Sequence, residues 1–79
     1  MEIIADICLY RLFAFISEHY PDANQLVHES EDCGGNPTVD SMVWQGADGQ
    51  ALISWAYLGY TRACPEVIEK MKEVGLLPV

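Results

Sequence analysis

Hydrophobic residues near the amino terminus recur every three or four positions, which is typical of an amphipathic helix. The positions with this spacing are Ile4, Cys8, Leu12, Phe15 and Ile16. Glu2 and Asp6 would complement the positive end of the helix dipole, and Pro21 disfavours a helical residue before it. We therefore predict a helix from about Glu2 to His19.

The apolar surface of this predicted helix is wider than one stripe. Ile3, Tyr10 and Phe13 lie outside the main apolar face and extend it around the helix. A chain of 79 residues has little material left to cover a helix on several sides. We therefore predict that these three residues take part in self-association, as in a homodimer, or in docking on another protein.

A second amphipathic helix is predicted from Pro65 to about Val74. Proline is favoured at the first helical position, and Gly75 is placed for a left-handed cap at the end. One apolar stripe is formed by Val67, Ile68, Met71 and Val74. This pattern is typical of a helix with one face on a core and the other in solvent.

The middle of the chain is rich in residues that favour strands. Two runs containing Val, Ile, Trp and Tyr flank the turn-forming sequence GADG, which predicts an antiparallel hairpin with strands near residues 38–45 and 50–58. A weaker third strand is predicted at residues 25–29. The expected fold is a single α+β domain over residues 1–79, with a helix, a small antiparallel meander and a closing helix. In the alternative, ALISWAYLGY is a buried helix and the fold is all-α, because a short apolar run does not reveal its period.

Composition indicates a folded chain with a strong negative charge. Hydrophobic residues make up 51% of the sequence, and its formal net charge is −8. This charge disfavours direct nucleic-acid binding and favours attraction to a basic protein surface, although solubility alone also explains it. We therefore expect a protein partner and no nucleic-acid ligand.

The sequence near the amino terminus is not typical of export. The apolar run ICLYRLFAFI follows acidic residues instead of basic ones, contains Arg11, and is shorter than the ~20 residues that cross a bilayer. The 3 cysteines are odd in number and widely spaced, unlike a disulfide framework. We predict a cytoplasmic protein with reduced thiols and no membrane association.

The stretch HESEDCGGNP, residues 28–37, concentrates side chains that often form sites. It does not fit a calcium loop, because Cys33 stands where Asp or Asn is needed and the short Asp40 stands where Glu is needed. A zinc or iron site would need closely spaced ligand pairs, and phosphate binding at Gly34 and Gly35 is opposed by the preceding acids. We predict a turn here, with no metal and no cofactor.

Cysteine chemistry is the main enzymatic alternative. Cys64 precedes a predicted helix, whose dipole favours a thiolate, and His19 and His28 are candidate bases. The neighbouring Glu66 opposes a thiolate at Cys64. An enzyme or sensor that uses thiols or a metal, built on Cys33, Cys64 and the histidines, is the alternative to the non-enzymatic function that we expect.

Acidic residues in the predicted loops and turns indicate a binding surface. These residues are Glu29, Glu31, Asp32, Asp40 and Asp48. We expect several of them to share one end of the sheet and to form an acidic face that attracts a basic surface, such as a nucleic-acid-binding groove of another protein. Exposed aromatic side chains would anchor the contact. The candidates are Trp44, Trp55, Tyr57 and Tyr60, each of which is more commonly a core residue.

In overall profile, this short acidic chain resembles phage-encoded inhibitors, including anti-CRISPR proteins, and small immunity or antitoxin proteins. The resemblance covers no particular residues. It implies a protein that blocks or modulates its partner by stoichiometric binding. An accessory subunit of a larger complex is a further alternative.

Overall fold

The computed structural model describes residues 1–4 and 7–78, which form two helices and a five-stranded antiparallel sheet. In chain order the elements are β1 (Glu2–Ile3), α1 (Leu9–His19), β2 (Asn24–Glu31), β3 (Pro37–Gln45), β4 (Ala51–Ala56), β5 (Arg62–Ala63) and α2 (Pro65–Glu73). The predicted α+β class is confirmed, with more strands than expected.

The strands lie in the order β1, β5, β4, β3, β2. Strands β2, β3 and β4 follow one another as a meander, because each is joined to the next by a tight turn. The short strand β1 pairs with β5, and the Ile4 N–H extends this pairing to the Thr61 carbonyl at 2.9 Å. The two edges of the sheet are therefore the two-residue β1 and the eight-residue β2.

Both helices contribute to one core layer on the sheet. The buried hydrophobic residues of the strands are Met42, Trp44, Ile53 and Ala63. Those of the helices are Leu12, Phe15, Ile16, Val67, Ile68 and Met71. Because successive strand side chains point to opposite faces, one strand face meets the helices and the other does not.

The first helix begins later than the spacing predicts. It starts at Leu9, whereas Glu2 and Ile3 form β1, and Asp6 lies outside the described residues. Pairing with β5 satisfies backbone groups of Glu2 and Ile3 that the first turn of a helix would leave without a partner. The local apolar pattern did not reveal this alternative, because the partner strand is some 60 residues away in the sequence.

The all-α alternative is wrong, since Ala51–Ala56 is a strand in the middle of the sheet. This strand ends two residues before the predicted end at Leu58, because the chain turns back at Gly59. The weak third strand is longer than predicted and runs from Asn24 to Glu31. The second helix agrees with the prediction to within a residue, and Gly75 takes the expected positive φ of 81°.

Tyr20 joins the end of α1 to the start of α2. The ring centroids of Tyr20 and Phe15 are 5.8 Å apart. Burial raises the pKa of the Tyr20 hydroxyl above its ordinary value, and the neighbouring Glu66 and Cys64 raise it further.

Within the described residues, neither helix is long and apolar enough to cross a membrane.

Candidate functional site

The hairpin formed by β2 and β3 extends past the rest of the sheet. The last pair between β3 and β4 is Ser41 with Ala56. Among the described residues, β2 is therefore the one strand that pairs with residues 37–40 of β3. These four residues extend the ribbon by roughly 13 Å, before the turn is counted. Every residue from Asn24 to Val39 is exposed, and the molecule is elongated at 42 × 27 × 20 Å. We call residues 28–40 the projecting hairpin.

Asp32 closes the turn at the tip of the projecting hairpin. Its Oδ1 accepts the Gly34 N–H at 2.8 Å and the Asn36 N–H at 2.9 Å. The backbone N–H groups of Asn36 and Gly34, followed by the Asn36 side chain, hold the pKa of the Asp32 carboxyl below its usual value. Gly35 adopts a φ of 80°, which glycine tolerates without strain. The predicted turn is confirmed, and the carboxylate that organises it stays charged.

Glu29 and Glu31 lie on the same face of the ribbon as the core. The side chain of Gln25 accepts a hydrogen bond from Trp44 Nε1 at 3.2 Å, which identifies the face on which the odd-numbered residues of β2 lie. Val27, opposite the buried Met42, follows on this face, and the two glutamates lie beyond the buried strand residues. Within the described chain, neither glutamate has a lysine or arginine at ion-pair distance.

Asp40 lies on the opposite face of the ribbon. A bulge makes it the extra residue of β3, because His28 pairs with Ser41 and Glu29 pairs with Val39. Asp40 Oδ1 accepts a hydrogen bond from Ser30 Oγ at 3.0 Å, and Oδ2 is 3.4 Å from His28 Nδ1. The two faces of the projecting hairpin therefore both present carboxylates.

Ser30, His28 and Asp40 are not arranged as a serine–histidine–carboxylate triad. Ser30 donates its hydroxyl hydrogen directly to Asp40, and His28 lies against the other carboxylate oxygen. The two thiols of the enzymatic alternative lie in different parts of the fold. Cys33 is exposed at the tip of the hairpin, whereas Cys64 is buried at the start of α2. The Cys64 N–H donates to the carbonyl of Leu52, which lies towards the other end of the sheet.

Asp48 does not join the other predicted acids. It lies in the turn between β3 and β4, where Oδ1 accepts the Gln50 N–H at 3.0 Å. Consecutive hairpins of an antiparallel meander turn at opposite ends of the sheet, so Asp32 and Asp48 lie at opposite ends. Asp48 therefore lies apart from Glu29, Glu31, Asp32 and Asp40, which share the projecting hairpin.

Lysine and arginine residues are distant from the projecting hairpin in the sequence. The sequence has no lysine or arginine between Arg11 and Arg62. Lys70 and Lys72 lie on α2 and pair there with Glu73 and Glu69, at 3.7 and 3.8 Å. Among the described residues, no lysine or arginine forms an ion pair with a hairpin carboxylate, so the negative charge there would attract cationic surfaces. The long interval without lysine or arginine is itself visible in the sequence.

Exposed apolar side chains adjoin the base of the hairpin. The loop of residues 57–60 carries Tyr57, Leu58 and Tyr60, all exposed, with Leu58 93% accessible. The Tyr57 N–H donates to the Asp40 carbonyl at 2.9 Å, which connects this loop to the projecting hairpin. Of the other candidate anchors, Trp44 is buried and Trp55 is partly buried against the core.

The predicted self-association residues separate into two groups. Ile3 is exposed on β1, and Tyr10 is 84% exposed on α1. Phe13 is instead packed on the core, with its ring edge-on to Trp44 at 5.7 Å. Packing on the core therefore disfavours a role of Phe13 in self-association, and its replacement by a charged residue would disturb folding as well as any contact.

The projecting hairpin is the candidate site for three reasons: it is exposed on both faces, its residues 28–40 include no lysine or arginine, and it adjoins an exposed aromatic loop. These properties are typical of a surface that binds another macromolecule, with aromatic groups as anchors. Comparison of the chain with family models, with curated proteins and with solved structures finds no match.

Proposed function

We propose that the protein binds a basic surface of a partner protein through the projecting hairpin, and blocks or modulates that partner stoichiometrically without catalytic turnover. The proposal rests on one observation. An exposed ribbon presents Glu29, Glu31 and Asp32, with the half-buried Asp40 at its base, in a chain that has no lysine or arginine between Arg11 and Arg62.

The shape of the ribbon favours a groove as the binding site on the partner. Two paired strands are narrow, with backbones about 4.8 Å apart, so they can enter a cleft that a helix-covered sheet cannot. Carboxylates on both faces would contact both walls of a basic cleft. A groove that holds nucleic acid has the required charge and width, and an acidic ribbon within it would exclude the nucleic acid.

The loop of residues 57–60 supplies apolar contact next to the charged ribbon. Long-range attraction sets association rate and orientation more than final affinity. Buried aromatic anchors contribute most of the affinity at typical interfaces. Replacement of Leu58 by serine should therefore weaken the complex without changing stability, because this side chain is 93% exposed in the free protein. The measurement is calorimetric affinity beside a urea denaturation curve.

The test begins with affinity capture of the partner from the organism that produces the protein, followed by mass spectrometry. The variant Glu29→Lys/Glu31→Lys should then lose at least about 2 kcal/mol of binding free energy to the purified partner, and the salt dependence of binding should fall. The matched control is Glu69→Lys/Glu73→Lys, which makes the same change in net charge on α2. Equal loss of affinity in both variants would show that total charge matters and the hairpin does not.

A second candidate function is that of an accessory subunit docked through α1. It is favoured by Tyr10, a large side chain that is 84% exposed in the first turn of a helix whose other face packs on the core. Tyr10→Asp should then release the protein from its complex while Glu29→Lys/Glu31→Lys leaves it bound. The reverse result would support the acidic hairpin instead.

A further inference from the structure

Strand β2 is a long edge strand whose outer backbone edge is exposed. Among the described residues, its neighbour in the sheet is β3 alone, and all eight of its residues are exposed. Natural edge strands are commonly blocked by charged side chains, by inward-pointing charges, by proline or by bulges. Asn24–Glu31 contains neither lysine nor proline, and the extra residue of the bulge, Asp40, belongs to β3. Glu29 and Glu31, on the core side of β2, oppose pairing with an acidic strand and leave the edge open to a basic one.

The direction of the free backbone groups follows from the turn. The Asp32 N–H donates to the Asn36 carbonyl at 2.9 Å, so it points towards β3. Successive N–H groups of a strand point to opposite sides, so those of Glu31, Glu29 and Val27 point away from β3. Pro37, which has no N–H, lies opposite Glu31, as expected for a pair that exchanges no hydrogen bonds.

We propose that β2 receives an extended basic segment of the partner as a sixth, antiparallel strand, with lysine or arginine side chains opposite Glu29 and Glu31 and an apolar side chain opposite Val27. This inference rests on the proposed function and specifies how the hairpin would bind. Antiparallel pairing continues the arrangement of the existing sheet and is the more stable of the two directions. Opposite charges in directly facing strand positions add to the backbone hydrogen bonds.

A second copy of the chain is a less suitable occupant of this edge. Self-pairing of two β2 strands brings together chains with a formal charge of −8 each. It also provides no cation for Glu29 or Glu31, because β2 contains no lysine or arginine. A cationic segment gains an ion pair at each of these positions instead.

The proposal defines the sequence of a binding peptide. In an antiparallel partner, the positions opposite residues 31 to 26 of β2 would be filled by Lys-Thr-Lys-Thr-Val-Val. The N–H groups of its first, third and fifth residues would point towards β2, and those of the second, fourth and sixth would point away. This peptide, with blocked ends, can be titrated into the isotope-labelled protein and followed by NMR.

The matched comparison uses two peptides that differ only in the position of one N-methyl group. Methylation at the third residue should weaken binding at least about fivefold, because it removes a hydrogen bond to β2. Methylation at the fourth residue should leave the affinity within about twofold. Amide exchange at Val27 and Glu29 should slow when the unmodified peptide binds. Equal affinities for the two methylated peptides, or no slowing at β2, would overturn the proposal.

The remaining results separate this inference from the proposed function. Loss of the partner in Glu29→Lys/Glu31→Lys, together with equal binding of both methylated peptides, would leave the acidic hairpin as the site and reject strand pairing. In the absence of peptide, amide exchange at Val27 that slows as the protein concentration rises would show that a second copy pairs with β2. This result would also reject pairing with a basic partner segment. Tighter binding of the fourth-residue than of the third-residue methyl peptide supports strand pairing. A lower affinity of Glu29→Gln/Glu31→Gln for the unmodified peptide supports the charge pattern.

Discussion

The two ends of strand β3 differ completely in their surroundings. At one end Val39 is 38% exposed, while five residues further along Trp44 is 2% exposed beneath Phe13. Both side chains lie on the helix side of the sheet, because Val39 pairs with Glu29 and Trp44 pairs with Gln25. The difference arises from coverage, since the helices extend over one end and not the other. A single strand therefore belongs both to the core and to the candidate site.

The turns at the two ends are alike in their local chemistry. Each has an aspartate that accepts backbone N–H bonds, Asp32 in one and Asp48 in the other. Each also has a glycine with positive φ, 80° at Gly35 and 81° at Gly49. Turn chemistry thus does not distinguish the exposed hairpin from the covered one. What differs is whether the strands that follow each turn contact the helices.

The largest effect should come from truncating the covered end of β3. Trp44→Ala removes a fully packed ring and the hydrogen bond to Gln25, and should lower the free energy of unfolding by about 3–5 kcal/mol. Val39→Ala, at the exposed end, should lower it by less than about 1 kcal/mol. Urea denaturation followed by circular dichroism compares the two. Similar losses of unfolding free energy in the two variants would mean that the exposed end of β3 contributes as much to stability as the end at Trp44.

A smaller effect distinguishes the two turns. Alanine at φ near 80° is strained by about 1–2 kcal/mol, so Gly49→Ala should lower global stability by that amount. Gly35→Ala introduces the same local strain, but the tip of the projecting hairpin can open without unfolding the core. We therefore expect a smaller loss of global stability for Gly35→Ala and faster amide exchange confined to residues near the tip. Equal global losses would contradict this independence.

The smallest effect is a local response to acid at the tip. The pKa of Asp32 is lowered in the folded protein, so its contribution to the turn is complete above the unfolded pKa of about 3.9 and is lost as the pH falls through the lower folded value. NMR shifts of the Gly34 and Asn36 amides should therefore move with a midpoint below 3.9. The Asp32→Asn variant should lack this transition. A midpoint at or above 3.9 would show that the turn does not hold the carboxylate.

Several elements were predictable because their signals are local. The limits of α2 follow from Pro65 and Gly75, which restrict the backbone at the positions where they occur. The β3–β4 hairpin follows from a turn sequence between two strand-forming runs. By contrast, β1 and β5 are two residues long and carry no pattern of their own. These two strands form by pairing with each other, and that pairing is present only in the folded chain.

The candidate site was predicted in part, for the same reason. The acids of residues 29–40 were identifiable because they are close together in the sequence, and they remain close in the hairpin. The sequence does not reveal that Asp48 lies at the other end of the sheet, because that position depends on the direction of each strand. The exposed loop of residues 57–60 could not be distinguished from a core strand, because apolar composition is the same in both.

The sequence by itself determined the helix-forming and strand-forming segments, the turns at aspartate and glycine, and the excess of acid in a long stretch without cations. These properties depend on neighbouring residues and on backbone preferences, which act before the chain is folded. Tertiary structure alone decided which strand became an edge, which end of β3 was covered, and on which faces of the ribbon Glu29 and Asp40 lie. Strand order, register and helix coverage depend on contacts between distant residues, so a negatively charged segment became a projecting, two-faced hairpin only when the sheet assembled.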